Sequence, residues 1–458
     1  MKVTIINLPS PVLAEPWTNF PLGCGVIAAV AEGLGHDADI LDLCEVDPDG
    51  LEAVSIPSAD VFGLSVVTPQ IFISHKMAAI LRRKFPEATI VAGGPHTLID
   101  GGIEDFLLDM SYDAVVKGEG EFGFERLLGD REAGRTIQSV YDCPPPPDLD
   151  KVPYPARHLM PDFQDKALRT VQLFKGDYTE GGQTTAIASR GCPYYCSFCA
   201  LHPRTMRFQT PRHTVAELQH VVEQFGIRQF KWQDDTFSIS KPWVLELCDL
   251  IKNELPPTYH RSHTRINVFD AELAKAQYDA GFRLQCFGIE SMSQTMLDLN
   301  DKKLKVGDIE EKLKIAHDAG MKTVGFFIFG MPGETPQTNA ETMANIEKNI
   351  DNLDFVNMTT MIPLPGTPMW DRPEDFDCEI LERDYEKLWI VGHDDNDRIM
   401  VTTNGVSRET MAAEKVKMYD FLRDIGRDRP EWKKPNEYTP EGGDYAPAVS
   451  EAGHGVNV

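Results

Sequence analysis

The chain has 458 residues, 42% hydrophobic and 25% charged side chains, and a formal net charge of −26. This composition excludes a wholly disordered, collagen-like or fibrous chain, and the length predicts two to four domains at roughly 100–200 residues each. The acidic balance argues against nonspecific nucleic-acid or anionic-lipid binding, and no apolar run approaches the ~20 residues of a membrane span.

The N-terminus, MKVTIINLPSP, reads as a strand rather than an export signal. Nine cysteines in such a chain indicate a reducing cytosol and thiols used as thiols. Over the first 140 residues, short apolar runs alternate with helical stretches: VTIINL (3–8), a helix from Leu22 to Leu34, ADILDL (38–43), VFGLSVV (61–67), a helix from Ile71 to Phe85, ATIVAGG (88–94) and YDAVVKGEG (112–120). That alternation predicts a doubly wound, Rossmann-like parallel sheet over 1–143, with ligand loops at the carboxyl ends of its strands. Gly63, Gly93, Gly94, Gly118 and Gly120 allow close backbone approach to a large ligand there.

Four prolines, Pro144 to Pro147, open a stiff linker over 144–181, in which 151–181 reads as irregular. A second alternation follows over 182–370. Its strand runs are TAIASR (185–190), RQFKWQ (228–233), TYHRSH (258–263), FRLQCFGI (282–289), KTVGFFIFG (322–330) and DFVNMTTMI (354–362). The helices between them begin near Thr214, Pro242, Asp270, between Gln294 and Gly307, and near Thr338. Six βα units predict an incomplete (β/α)6, TIM-like barrel with chemistry at the carboxyl ends of its strands. Between Asp371 and Arg398 stand eleven acidic residues and four basic ones, so the small α-rich segment 371–438 is not an RNA-binding module. Its 371–400 part is placed over the barrel mouth, with a helix from Ser407 to Ile425. Residues 439–458 read as a flexible tail.

The most specific feature is ASRGCPYYCSFCALHP, where Cys192, Cys196 and Cys199 are spaced C-x3-C-x2-C directly after the first strand of the second alternation. Three thiolates on one loop can hold a metal centre, either a structural zinc with His202 as fourth ligand or a [4Fe–4S] cluster with one iron left open, and the bland alternative is unliganded surface thiols. The position of the loop at a barrel mouth favours the open cluster. Just beyond it, Arg204, Arg207, Arg212 and His213 form a basic run that either balances cluster charge, holds a carboxylate, or is ordinary surface.

These residues resemble the radical S-adenosylmethionine (SAM) enzymes, in which an aromatic residue, here Phe198, precedes the last cysteine. The resemblance implies a [4Fe–4S] cluster on Cys192, Cys196 and Cys199, SAM on its open iron, and a 5′-deoxyadenosyl radical formed by reductive cleavage. An external electron donor such as flavodoxin or ferredoxin is implied with it. Residue by residue, WQDDTFS places Gln233, Asp234 and Asp235 near the SAM amino group, although the usual Gly-Gly-Glu is absent. GIES places Glu290 and Ser291 near the ribose or carboxylate, and GFFIFGMPGET places Phe329 and Gly330 near adenine.

The subset of the family carrying MIPLPGTPMW-like segments (361–370) has an N-terminal cobalamin-binding domain, which the first 140 residues resemble. Cobalamin contacts are then implied at Ser65, Thr68, Gly93, Gly94, His96, Gly118, Glu119 and Gly120. The mutase Asp-x-His-x-x-Gly motif is missing, so no histidine is assigned to cobalt. The function implied is methylation of an unactivated carbon of a small molecule or natural product. Cyclisation, ring contraction or rearrangement of a tetrapyrrole or natural product is the alternative, ahead of a transfer-RNA methylthiotransferase and a non-catalytic zinc or cobalamin sensor. Trp370, Trp389 and His393 are weak candidates for substrate contact.

Overall fold

A computed structural model describes residues 1–11, 13, 16–170, 182–200, 203–389 and 399–427. The sequence-stated roles of His202 and His393, and the tail 439–458, lie outside the described residues. Among those described, no helix is long and apolar enough to cross a membrane.

The first sheet contains β1 (Lys2–Asn7), β2 (Asp37–Asp42), β3 (Val61–Ser65), β4 (Thr89–Gly93), β5 (Ala114–Lys117) and β6 (Val140–Asp142), all parallel, in the order β2-β1-β3-β4-β5-β6. Both faces are buried, which is why its strands read as continuous apolar runs. Val3, Ile5, Val61 and Val91 face α1 (Leu22–Gly33) and α4 (Glu121–Glu132) in one core. Ile6, Phe62, Leu64 and Ile90 face α2 (Ile71–Lys84) and α3 (Gly102–Leu107) in another. The strand order reverses between β1 and β3, and a ligand crevice is expected outside the carboxyl ends at that switch point.

The segment after the proline run is not irregular throughout. It forms α5 (Phe163–Arg169), with Phe163, Lys166 and Ala167 buried at helical spacing. Lys166 Nζ reaches Asp42 at 2.7 Å and Asp162 at 2.7 Å. Arg157 is 2% exposed, pairs with Glu217 at 3.0 Å and donates to the Thr185 carbonyl at 2.7 Å. These contacts tie the linker to both sheets, and losing one partner of so buried a pair costs about 3–5 kcal/mol.

The second sheet begins with β7 (Gln183–Ala186). A short antiparallel ladder, β8 (Ser189–Arg190) with β9 (Arg207–Phe208), closes the base of the cysteine loop. The sheet continues with β10 (Gln229–Trp232), β11 (Tyr259–Arg265), β12 (Phe282–Glu290), β13 (Lys322–Phe329) and β14 (Phe355–Thr360). Its order, β14-β13-β12-β11-β10-β7, is sequential and parallel. Among the described residues no pairing joins β14 to β7, so the barrel is an open arc. Outward residues of the strands stack in the core: His260 lies 4.7 Å from Phe282 and accepts from Trp232 Nε1 at 3.3 Å, and burial pushes its pKa down to about 3.

The arc is covered by α6 (Pro211–Phe225), α7 (Lys241–Glu254), α8 (Ala271–Asp279), α9 (Gln294–Leu299), α10 (Val306–Asp318) and α11 (Pro336–Lys348). The stretch after β12 is two helices because Asp301 and Lys303 take positive φ in the turn between α9 and α10. The acidic segment contains α12 (Pro368–Asp371) and an antiparallel pair, β15 (Cys378–Ile380) with β16 (Val401–Thr403), followed by α13 (Arg408–Asp424) with Ser407 as its cap.

Candidate active site

The ladder of β8 and β9 determines the shape of the cysteine loop. Gly191 has φ 96°, and a Cβ there would stand 2.6 Å from the carbonyl oxygens of Pro203 and Thr205, so only glycine fits. The Cys192 amide donates to the Pro203 carbonyl at 3.1 Å. Ser197 Oγ donates to Asn300 Oδ1 at 2.9 Å, and Asn300 Nδ2 donates onward to the Pro332 carbonyl at 2.9 Å. The loop is thus held by the turns after β12 and β13. Phe198 packs against a cluster that contains Met361 and Met369 together with Cys378, Leu388 and Met400, so described residues of the acidic segment pack at this end of the barrel. The Trp370 ring also carries the Arg383 guanidinium at 4.6 Å.

The three thiols share one electrostatic environment. Burial pushes the Cys199 thiol up to about 11, assisted by the nearby Cys196, Cys192 and Asp235 charges and opposed by Lys302. Arg265, at the end of β11, donates from Nη1 to Cys196 Sγ at 3.1 Å, packs 3.8 Å over the Tyr194 ring and reaches the Lys302 carbonyl. Neither Arg265 nor Lys302 stands out in the sequence, although the alternation Arg261, His263, Arg265 along one strand is the signal that marks inward-facing cations.

The adjacent aspartates after β10 separate. Asp234 is 3% exposed and accepts from Ser189 Oγ at 2.6 Å and the Ala188 amide at 3.2 Å, and burial pushes it up to about 7. Asp235 instead lines the large cavity described below. Gln233 donates to Asn19 Oδ1 at 3.1 Å. Glu290 has φ 69°, a costly conformation for a non-glycine residue, and accepts from Lys302 Nζ at 2.6 Å. Ser291 is buried against Thr342 Oγ1 at 3.1 Å. The Phe329 side chain lies in the core, and the Gly330 amide donates to Glu334 Oε2 at 2.6 Å.

Glu334 is an unexpected buried carboxyl. Burial pushes it up to about 8, with Glu414 nearby adding to the shift. Because its folded pKa exceeds its unfolded value, its stabilising contribution is present below about pH 4.5 and is lost as pH rises through 8. Thermal denaturation of Glu334→Gln between pH 4.5 and 8.5 is expected to give a flatter decline of Tm with rising pH than the parent chain.

A cavity of about 710 Å³ opens at the carboxyl ends of the first sheet. Ser65, Gly93, Gly94, Gly118, Glu119 and Gly120 line it, and it extends as an apolar slot past Ile5, Cys24 and Phe124. Gly94 has φ 95°, and a Cβ there would meet the Val66 amide nitrogen at 2.7 Å. Thr68 and His96 are not brought to the cavity. His96 is fully buried behind it, with Nδ1 on Thr68 Oγ1 at 3.2 Å and Nε2 on Asp105 Oδ2 at 3.0 Å.

The same cavity is walled by Ile187, Ser189, Arg190, Gly191, Pro203 and Asp235 of the barrel. Across this seam Arg190 pairs with Glu119 at 2.5 Å and Glu121 at 2.7 Å, and Arg207 also pairs with Glu119. Burial pushes the Glu119 carboxyl up, but Arg207 and Arg190 together hold it below its ordinary value. The basic run after the cysteines is therefore dispersed. Arg207 is an interdomain contact, Arg204 packs 4.1 Å over Tyr195, His213 lies against Tyr154 at 4.7 Å, and Arg212 pairs with Glu254 on the surface.

A glycine-floored cavity on a doubly wound sheet, bordered by the residues that flank a three-cysteine loop at the mouth of a βα arc, sets two candidate cofactor regions side by side. Residues 187–346 match the radical SAM superfamily model and residues 18–128 match the B12 binding domain model, so the chain carries a radical SAM domain preceded by a B12-binding domain. It is 27% identical over 374 residues to an uncharacterized methyltransferase of Pyrococcus horikoshii, covering 77% of this chain and 78% of that one. It is 26% identical over 384 residues to an anaerobic magnesium-protoporphyrin IX monomethyl ester cyclase of Cereibacter sphaeroides, covering 80% and 59%. The radical SAM methyltransferase TsrM of Kitasatospora setae, solved with cobalamin and a [4Fe–4S] cluster, has the same fold, with a TM-score of 0.67, 18% identity and 93% and 92% coverage.

The domains imply a [4Fe–4S] cluster, SAM and cobalamin. Among the described residues no three ligating side chains already stand at metal-binding distance, but Cys192 and Cys196 lie on the same loop as Cys199 and close enough to act on its thiol. Three neighbouring thiols with a cationic hydrogen-bond donor suit a cluster that leaves one iron open. The glycine floor and apolar slot suit a large flat ligand with a tail. Arg265 is placed to stabilise negative charge on the Cys196 sulfur. Arg265→Met is therefore expected to lower the cluster's reduction potential, read by spectroelectrochemical titration, with iron content retained.

Proposed function

We propose that this enzyme methylates an unactivated carbon of a small molecule, with an external reductant such as flavodoxin or ferredoxin in a reducing cytosol. The observation that carries the reading is the single cavity walled by Gly93, Gly94, Gly118 and Gly120 on one side and by Ser189, Gly191 and Asp235 on the other. A carbon held there would lie between the glycine floor and the residues that flank the cysteine loop. When bound, the cluster with SAM supplies a hydrogen-abstracting 5′-deoxyadenosyl radical and cobalamin supplies a methyl group.

The chain's own residues have defined tasks. Cys192, Cys196 and Cys199 hold the cluster. Asp235 offers a carboxylate to the SAM ammonium, while Asp234 orients the Ala188–Ser189 backbone beneath it. Glu290 and Lys302 form a poised charge pair beside Phe198. Glu119, between two cradle glycines, anchors the cobalamin loop to Arg190 and Arg207.

Anaerobic reconstitution followed by product analysis tests the reading. Methylation predicts both 5′-deoxyadenosine and S-adenosylhomocysteine in the presence of substrate. Sustained 5′-deoxyadenosine with a converted substrate and no S-adenosylhomocysteine would overturn it in favour of cyclisation or rearrangement, the reading that the cyclase relative favours.

A further inference from the structure

The inner face of the barrel arc is basic in an otherwise acidic protein. Lys231 on β10 is the register partner of Arg261 on β11. Side chains alternate along a strand, so His263 shares the face of Arg261 two residues further on. All three are half-buried. Arg261 uses Nε on Cys286 Sγ at 3.3 Å. Among the described residues no carboxylate pairs with it, and its two terminal nitrogens have no acceptor. Lys231 donates to Asn19 Oδ1 at 2.8 Å, and His263 Nδ1 donates to the Trp232 carbonyl at 3.2 Å. Burial holds His263 well below its ordinary pKa, and the charges of Arg261 and Lys231 add to the effect, so the three groups are close enough to act on one another. The inward carboxylate of β12, Glu290, is committed to Lys302.

We propose that Lys231 and Arg261, flanked by His263, form an anion-binding subsite for a carboxylate or phosphate group of the substrate. The inference deepens the reading of the chain as a small-molecule methyltransferase and rests on it. The half-buried Arg261 guanidinium has no carboxylate among the described residues, and an arriving anion compensates its charge. The free edge of the Arg261 guanidinium is the fork that binds an oxyanion through two parallel hydrogen bonds. Position gives the subsite its role. Arg261 precedes Arg265, which touches Cys196, by four residues on the same strand, about 13 Å at ~3.3 Å per residue. An anionic group held at Arg261 therefore directs the remainder of a molecule up the arc toward the cysteine loop, and fixes which carbon reaches it.

The test uses the reconstituted holoenzyme without SAM or reductant, titrated calorimetrically with pyrophosphate and, separately, with malonate. Saturable binding is expected, with the tighter of the two anions identifying the phosphate or carboxylate class. Arg261→Gln and Lys231→Gln are expected to weaken it at least tenfold. Arg261→Lys, which keeps the charge but loses the fork, should weaken it less than Arg261→Gln. The exposed control Lys275→Gln should bind as the parent does. Failure of the parent to bind either anion overturns the subsite, as does undiminished binding by an Arg261→Gln protein of parental Tm and iron content. Formation of 5′-deoxyadenosine by the parent is measured separately. A parent that cleaves SAM but binds neither anion overturns the subsite alone. Anion binding through Arg261 in a chain that takes up no iron supports the anion site and overturns the radical reading.

Discussion

Cys196→Ala is expected to take the anaerobically reconstituted chain from about four irons to almost none, and to abolish 5′-deoxyadenosine formation. Cys196 is 7% exposed and its sulfur accepts from Arg265, so a thiolate there is compensated in place. Two remaining cysteines cannot hold a cluster that already leaves one iron without a protein ligand. Cys192→Ala and Cys199→Ala should behave alike, because all three thiols lie on the loop that Gly191 and Asn300 shape. The contrast is with Cys24, Cys44 and Cys248. Burial pushes the Cys24 and Cys44 thiols up to about 12, with Asp42 adding to both, and burial alone drives Cys248 upward as well. Burial raises Cys199 as well, so it is the grouping of three thiols on one loop, not acidity, that separates the cluster cysteines from these scattered core thiols. Cys24→Ser should therefore leave the iron content unchanged. Iron and sulfide assays across the four variants decide the matter, and substantial iron in Cys196→Ala would remove this loop from the role of cluster site.

The two sheets were legible because parallel strands buried on both faces must be apolar along their length, as Val61–Ser65 and Lys322–Phe329 are, and because glycine or proline ends them. Less legible was α5, whose apolar residues are few and whose helix is only two turns long. What makes it an element is the pairing of Lys166 with Asp42, more than a hundred residues earlier. The cysteine loop was legible from spacing alone. Asp234 and Asp235 were not separable in sequence, since only the pairing of β10 with β7 turns one toward Ser189 and the other toward the cavity. The same holds for His96, which sits among cavity glycines in sequence yet is turned inward onto Asp105. Arg190 carried no signal because its partners, Glu119 and Glu121, belong to the other domain.

Arg190→Met supplies the second large expected effect, because one guanidinium bridges the two cofactor regions. Its forks reach Glu119, between two cradle glycines, and Glu121, at the start of α4, while the next two residues are Gly191 and Cys192. Removing it leaves Glu119 with Arg207, but among the described residues Glu121 keeps no cation, and one of its buried oxygens already has no partner. An uncompensated buried carboxylate costs about 3–5 kcal/mol. Near the lower figure, and at about 2–4 °C per kcal/mol, Tm should fall by about 6–12 °C. Cobalamin retained after desalting should fall with it, because the Gly118–Gly120 loop loses its tether, whereas iron content should hold, because the three cysteines and Arg265 are untouched. The double variant Arg190→Met/Glu121→Gln discriminates between a lost attraction and a stranded charge. If the stranded charge dominates, removing it restores at least half of the lost Tm while cobalamin retention stays low. Recovery of both would make the seam a matter of stability alone, and recovery of neither would assign the whole loss to the contact with Glu119.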